Sequence, residues 1–222
     1  MPESSQPPRP ISTPTWIGIF IALFGILIVR QAIAYFFPTL PTVAVICRES
    51  LDWLCAIAVL FIVKKGEHQP LTSIGIGTSP IKRSLLHGTL LTVVCGVVGF
   101  GIAVPTHFKG GPSGEFLTKL PIWLLILVVT RAGIVEELFY RGYAIERLEA
   151  LGLNRYWAAA IPLFVFSLGH WTGGWRNIVI AFALGAVLSI SYLWRRDLVA
   201  NMIGHFAVDF IGVVLPRLLS HP

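Results

Sequence analysis

The sequence predicts an all-α, polytopic transmembrane helix bundle of about seven spans, with six to eight as the range. Hydrophobic residues make up 55% of the 222 residues and charged residues only 13%, whereas soluble domains carry roughly 25% charged residues. The apolar residues also fall into long runs, most of which reach or approach the roughly 20 residues that cross a bilayer. These two observations indicate a membrane protein.

The first 15 residues contain five prolines among serines and threonines, so we expect an irregular, disordered tail over 1–15. A single transmembrane domain is expected over 16–220, with a catalytic core at about 120–215. The connection 66–80 is rich in Gly, Ser and Thr and is expected to be a linker. The apolar runs are, in chain order, Trp16–Phe37, Val43–Val63, Leu85–Val104, Leu120–Ile145, Tyr156–His170, Asn177–Trp194 and Leu198–Leu219.

The basic residues predict how these spans are oriented. With seven spans and a cytoplasmic N-terminus, the cytoplasmic connections hold nine of these basic residues and the opposite side holds five, which agrees with the positive-inside rule. We therefore expect a multi-pass protein of the cell membrane with its C-terminus outside. The net charge of +6 fits this distribution, and nucleic acid is not an expected partner. The nine residues are Arg9, Lys64, Lys65, Lys82, Arg83, Arg147, Arg155, Arg195 and Arg196; the five are Arg48, Lys109, Lys119, Arg176 and Arg217.

The fourth run carries charged residues where apolar ones are expected: Arg131, Glu136, Glu137 and Arg141. Four ionised side chains facing lipid would cost on the order of 10 kcal/mol even on a lenient scale, so this face is expected to point into the bundle. Glu137 and Arg141 are four residues apart, on one face of a helix and in the favourable order. Glu136 points about 100° away and has no basic residue three or four positions later, so we expect it to be free to take a proton.

Two further runs bring polar residues toward the interior. His170 ends the fifth run, and His205 and Asp209 lie four apart on the last one, on the same helical face. Hydrolysis of an amide needs a base for water and donors for the oxyanion. Glu136 and His170 could hold and deprotonate a water, and His205 with Asp209 could face the developing negative charge.

These residues form three motifs in order: EExxxR at Glu136–Arg141, FxxxH at Phe166–His170 and HxxxD at His205–Asp209. Their order and spacing resemble the CPBP family of type II CAAX prenyl endopeptidases and bacteriocin-processing enzymes, also called Abi proteins.

The resemblance implies that Glu136 is the base that activates water with His170, and that Glu137 and Arg141 form a supporting pair. It places His205 and Asp209 on the oxyanion side. The last motif often ends in Asn, so Asp209 is either protonated or orients His205. The implied activity is an intramembrane endopeptidase acting on a membrane-associated or lipidated peptide or protein, without a cofactor.

Three alternatives stay open on the sequence alone. The first is a zinc-dependent version of the same site, with Glu136, His170 and His205 as ligands, although the HExxH spacing is absent. The second is a serine nucleophile in the segment Gly111–Gly114, which is more typical of a turn. The third is a non-catalytic membrane protein, either an immunity or scaffold protein or a proton-coupled transporter.

Overall fold

The computed structural model describes residues 12–37, 41–108 and 110–219. Within these ranges the regular structure is helical, which confirms the predicted all-α class. The α-helices are α1 (Thr13–Phe36), α2 (Pro41–Phe61), α3 (Ile81–Ala103), α4 (Gly111–Thr118), α5 (Ile122–Arg131), α6 (Glu146–Ala150), α7 (Arg155–Leu168), α8 (Trp175–Arg195), α9 (Leu198–Asp209) and α10 (Leu215–Leu219).

Each predicted apolar run coincides with a helix or with a continuous series of helical segments. Among the described residues, four helices are long and apolar enough to cross a membrane: Thr13–Phe36, Ile81–Ala103, Trp175–Arg195 and Leu198–Leu219. Helix α2 and the series that starts with α5 carry buried charged residues, and α7 has only 14 residues. The buried charges and the short length explain why these three helical segments fall outside the group of four long apolar helices. The number of membrane spans stays a prediction.

The chain becomes helical earlier than predicted. Helix α1 begins at Thr13, inside the predicted tail 1–15, with Pro14 among its first positions. Proline is well tolerated there because the N–H that it lacks has no partner within the helix. Residues 1–11 of that tail lie outside the described residues, as do Arg9 and Lys109 of the charge count. The orientation in the membrane stays a prediction.

The connection 66–80 is an ordered part of the fold, which corrects its reading as a linker. It contains a short 3₁₀-helix, Leu71–Ile74, whose last residue is fully buried. Gly75 follows in the left-handed region at φ 81°, and its carbonyl accepts a 2.9 Å hydrogen bond from the backbone of Leu198. The connection therefore holds the first residue of α9.

The chain from α5 to α6 forms one continuous helical series, here called the central helix. Between its α-helical ends lie two π-helical segments, Ala132–Glu136 and Leu138–Ile145, and every residue of the second segment is buried. Gly133 allows α9 to pass closely, since a Cβ atom there would lie 2.8 Å from the backbone N and Cα of Phe206. Small residues of this kind let helices in membranes approach each other.

Helix α9 is packed equally closely on its other side. A Cβ atom on Gly88 of α3 would lie 2.6 Å from Cβ of Ile203, and one on Gly204 would lie 2.7 Å from Cβ of Leu91. Since α9 is held tightly between α3 and the central helix, His205 has little freedom to move relative to the central helix.

Candidate active site

Glu136 is paired with Arg131, which corrects the expectation that its carboxylate is free. The guanidinium Nη1 of Arg131 donates to Oε1 of Glu136, and both side chains are buried. The two residues are five positions apart, a spacing that an α-helix does not bring to one face. A π-helix closes its hydrogen bonds five residues apart, and the π-helical segment Ala132–Glu136 therefore brings Arg131 and Glu136 together.

Glu137 accepts hydrogen bonds from three side chains on two helices. Nη1 of Arg141 lies 2.7 Å from Oε1, Nδ1 of His205 lies 2.8 Å from the same oxygen, and Nδ2 of Asn201 lies 3.2 Å from Oε2. The ion pair with Arg141 is the one that the spacing predicts. Because Glu137 is completely buried and its charge is matched by these donors, it fixes α9 against the central helix.

Arg141 extends the same network to α7 and α8. Its Nη2 donates to the carbonyl of Gly185 at 3.2 Å, and its Nε lies 3.4 Å from Oγ of Ser189. The guanidinium also sits 4.5 Å from the ring centre of Phe166, a distance typical of a cation–π contact. Glu137 and Arg141 together therefore contact each helix that carries one of the three motifs.

His170 lies just beyond the end of α7 and faces Glu136 across a narrow cleft. Its Nδ1 lies 2.9 Å from the carbonyl oxygen of Phe166, which can only accept, so Nδ1 carries the hydrogen. In the neutral ring, Nε2 is then the basic nitrogen. The cleft is lined by Ile26, Leu27, Arg30, Glu136, Tyr140, Phe166, Gly169 and His170.

Helix α7 is short for a helix in a membrane, and this length sets where His170 lies. Its 14 residues span roughly 21 Å at about 1.5 Å per residue, well short of about 30 Å of hydrocarbon. His170 therefore reaches the level of Glu136 and lines the same cleft. Arg30 of α1 donates to the carbonyl of Gly169 beside it.

His205 lies between two carboxylates. Its Nδ1 contacts Glu137, and its Nε2 lies 3.5 Å from Oδ2 of Asp209, whose side chain is 35% exposed. The ring of Phe166 separates the two histidines, with its centre 4.8 Å from that of His170 and 6.1 Å from that of His205. Asp209 thus contacts the histidine itself, as expected of a residue that orients His205.

Four residues of this region were missed by sequence reasoning. Asn201 donates to Glu137 and to the carbonyl of Leu188 at 2.9 Å. The sequence feature that could have identified Asn201 is an amide within the same apolar run as His205. Its spacing, however, does not identify Glu137 as the partner. The other three are Arg30, Glu49 and Asp52.

Glu49 and Asp52 belong to α2 and lie on either side of Nε of Arg131, at 3.0 and 3.6 Å. Arg48, also on α2, pairs with Glu49 at 2.8 Å. The signal that could have found these acids is their position within an apolar run, where a buried carboxylate requires a partner.

Ser113 lies away from the cleft. Its hydroxyl hydrogen bonds to that of the exposed Thr172 at 3.0 Å. The surrounding segment forms α4 and is not a turn. Among the described residues, the side-chain hydrogen bond of Ser113 goes to Thr172, and Ser113 does not line the cleft.

The candidate zinc ligands were tested against the geometry. In the part of the chain that the structure describes, no group of three or more His, Cys, Asp or Glu side chains is placed to hold a metal ion. Arg131 occupies an oxygen of Glu136, and the Phe166 carbonyl occupies a nitrogen of His170. The residues as arranged do not fit a zinc site, and we derive no step through a metal.

Comparison with known proteins gives one match. Residues 118–211 match the family model of the Rce1-like type II CAAX prenyl endopeptidases. Neither the curated proteins nor the solved structures gave a match to the chain. Several long apolar helices and this family match together support a membrane protein. The match supports the resemblance that the three motifs indicated: over residues 118–211 this chain is similar to Rce1-like type II CAAX prenyl endopeptidases.

Proposed function

We propose that the protein is an intramembrane endopeptidase that hydrolyses a peptide bond of a membrane-associated or lipidated substrate. The observation that carries the proposal is the cleft that Glu136 and His170 line together. A carboxylate and a basic ring nitrogen facing one narrow opening are suited to bind a single water between them. The family match to residues 118–211 supports a protease.

The two carboxylate oxygens of Glu136 have different roles in the proposed reaction. Oε1 is held by Arg131, so Oε2 is the oxygen that can accept a proton from the water. Nε2 of His170 accepts a hydrogen bond from the same water and orients it. The hydroxide so formed attacks the scissile carbonyl carbon, and a tetrahedral oxyanion results. Glu136 then gives its proton to the leaving amine, the C–N bond breaks, and the carboxylate is restored.

The oxyanion is stabilised from α9. We assign His205 as the donor, because Glu137 orients its Nδ1 side and leaves Nε2 on the side of Asp209. Since Nδ1 and Nε2 each face a carboxylate, the ring can carry a hydrogen on both nitrogens, and Nε2–H then donates to the oxyanion when a substrate carbonyl approaches. A donor fixed in a site without bulk water stabilises developing charge more strongly than water does. Asp209 orients the ring and makes no direct contact with the oxyanion.

The test compares the purified wild-type protein with Glu136→Gln on a library of prenylated and unprenylated peptides, each with and without a chelator. Glutamine has the same shape as glutamate but cannot take the proton. Because general acid–base catalysis alone contributes about 10²–10⁴-fold, we expect the cleavage rate to fall by about 10³-fold or more. Glu149→Gln, at a partly exposed ion pair on α6, is the matched control and should cleave like the wild type.

Each outcome of this test has a distinct meaning. Cleavage that survives in Glu136→Gln would overturn the assignment of the base and would support a non-catalytic role, in immunity, scaffolding or proton-coupled transport, for the buried polar residues. Loss of wild-type cleavage on chelation would show zinc dependence. Cleavage that ignores the chelator and needs the prenyl group would identify the substrate as a lipidated peptide.

A further inference from the structure

A buried charge cluster joins α2 to the proposed base. Arg131 contacts three carboxylates, those of Glu136, Glu49 and Asp52, and all four side chains are buried. Glu49 and Asp52 lie more than 60 residues before the start of the segment that matches the known family, which is 118–211. The family match therefore assigns them no role.

The geometry gives the guanidinium two distinct sides. Its Nε faces α2, with Glu49 at 3.0 Å and Asp52 at 3.6 Å, while its Nη1 faces Glu136. Arg131 thus bridges the two helices. Any displacement of the guanidinium would move Oε1 of Glu136 and, with it, the oxygen proposed to face the water.

Stability alone does not account for three carboxylates around one guanidinium. Each buried ion loses the stabilisation of its hydration, and an ion pair offsets this loss only with good hydrogen bonding. Both oxygens of Asp52 are buried and have no hydrogen-bond partner among the described residues. Glu49 also pairs with Arg48 at 2.8 Å, so three acids face two guanidinium groups, and the acid in excess, Asp52, needs a reason other than packing.

The proposed reaction supplies that reason. When Glu136 takes the proton from water it becomes neutral, and Arg131 loses the negative charge on its Nη1 side. A buried cation left without a counter-ion is strongly destabilising. Glu49 stays 3.0 Å and Asp52 3.6 Å from Nε, so Arg131 keeps acidic neighbours while Glu136 is protonated.

We propose that Glu49 and Asp52 are positioning residues of the active site: they hold Arg131, and Arg131 orients Glu136 for its exchange of a proton with water. The inference rests on the proposed function. It adds α2 to a site that the three motifs place entirely within residues 136–209.

The kinetic test uses Glu49→Gln, Asp52→Asn, the double variant, Arg131→Gln and Arg131→Lys. Misplacing a catalytic group by about 1 Å costs about 10²-fold, so we expect kcat to fall about 10²-fold in the α2 double variant and in Arg131→Gln. KM should stay within about threefold, because none of these residues contacts substrate. Arg131→Lys should recover part of the lost kcat, since it restores the charge without the planar fork.

The matched control is Glu67→Gln. Glu67 forms a buried ion pair with Arg147 at 2.7 Å, which also joins the segment after α2 to the central helix, but away from the cleft. The Glu67→Gln variant should lower the melting temperature about as much as the α2 variants do, while its kcat stays unchanged. If Glu67→Gln lowers kcat equally, the α2 acids act only through stability and the inference is wrong.

A second measurement does not depend on activity. A hydrophobic carbodiimide modifies protonated carboxyl groups in membranes, and peptide mass spectrometry locates the modification. Removing the guanidinium in Arg131→Gln should raise labelling of Glu136 at least about tenfold, since an adjacent cation favours the ionised form. The α2 double variant should not raise it, because Arg131 then has Glu136 as its main counter-ion.

The labelling separates the two proposals. If the α2 double variant raises labelling of Glu136 as much as Arg131→Gln does, the core has simply opened and the positioning role is overturned. If the wild type cleaves no peptide but the labelling follows the expected pattern, the proposed function fails while the arrangement of Arg131 and the α2 acids stands. Should the double variant not fold, the single variants give the same comparison.

Discussion

Replacing Glu137 by glutamine removes a negative charge that is completely buried and leaves the guanidinium of Arg141 without its counter-ion. In the wild type Oε1 lies 2.7 Å from Arg141 and 2.8 Å from His205, and Oε2 lies 3.2 Å from Asn201. Glutamine keeps one acceptor oxygen but turns an NH₂ group toward these donors. The change therefore combines a stranded cation with at least one lost hydrogen bond.

The expected loss of stability follows from the burial of the ion pair between Glu137 and Arg141, whose side chains are 0% and 1% exposed. Breaking a buried ion pair by removing one partner costs about 3–5 kcal/mol. For a protein of this size 1 kcal/mol corresponds to about 2–4 °C, so the melting temperature should fall by about 6–20 °C. The double variant Glu137→Gln/Arg141→Gln leaves no buried charge unpaired and should recover at least half of that loss.

Thermal unfolding in detergent, followed by tryptophan fluorescence, measures these shifts. Glu149→Gln serves as the control, because its ion pair with Arg196 has a similar distance of 2.6 Å but side chains that are 24% and 30% exposed. Such surface pairs contribute about 0–1 kcal/mol. Equal shifts for Glu137→Gln and Glu149→Gln, or a double variant less stable than Glu137→Gln, would refute the reasoning.

Two further predictions concern α9. Gly133→Ala should lower cleavage about 10²-fold, because the new Cβ atom would lie 2.8 Å from the backbone of Phe206 and would displace α9. The control is Gly96→Ala on α3, where no atom lies within 4 Å of the new Cβ position. This control should leave cleavage unchanged. Asp209→Asn should keep cleavage within about threefold of the wild type, because the amide oxygen can still accept from Nε2 of His205, whereas Asp209→Ala should cost about 10²-fold. Single-turnover cleavage rates measure both, and a rate in Asp209→Ala equal to that of the wild type would remove Asp209 from the site.

Much of the fold could be read from the sequence because hydrocarbon imposes a simple rule. A segment that crosses it must be apolar and must satisfy its own backbone hydrogen bonds, so the apolar runs mark the helices. The pair Glu137–Arg141 was also accessible, since a spacing of four residues places two side chains on one helical face.

The partner of Glu136 could not be predicted from residue spacing in the same way. An α-helical spacing gives Glu136 no cation, and only the π-helical backbone at Ala132–Glu136 brings Arg131 to its side. Two π-helical segments in one buried helix depend on how neighbouring helices pack, and no residue pattern used here predicts them. The contact of Arg131 with Glu49, across 82 positions, is a property of the packed bundle for the same reason.

The sequence by itself determined the class of the fold, the resemblance to a protease family over residues 118–211, and the residues proposed to carry the chemistry, because composition and short spacings are local properties of the chain. The tertiary structure decided which of these residues touch. It pairs Glu136 with Arg131, adds two acids from α2, turns His205 between Glu137 and Asp209, and brings His170 to the cleft through a short α7. These contacts join helices that are distant in sequence, and their distances are set by how closely small residues let those helices pack.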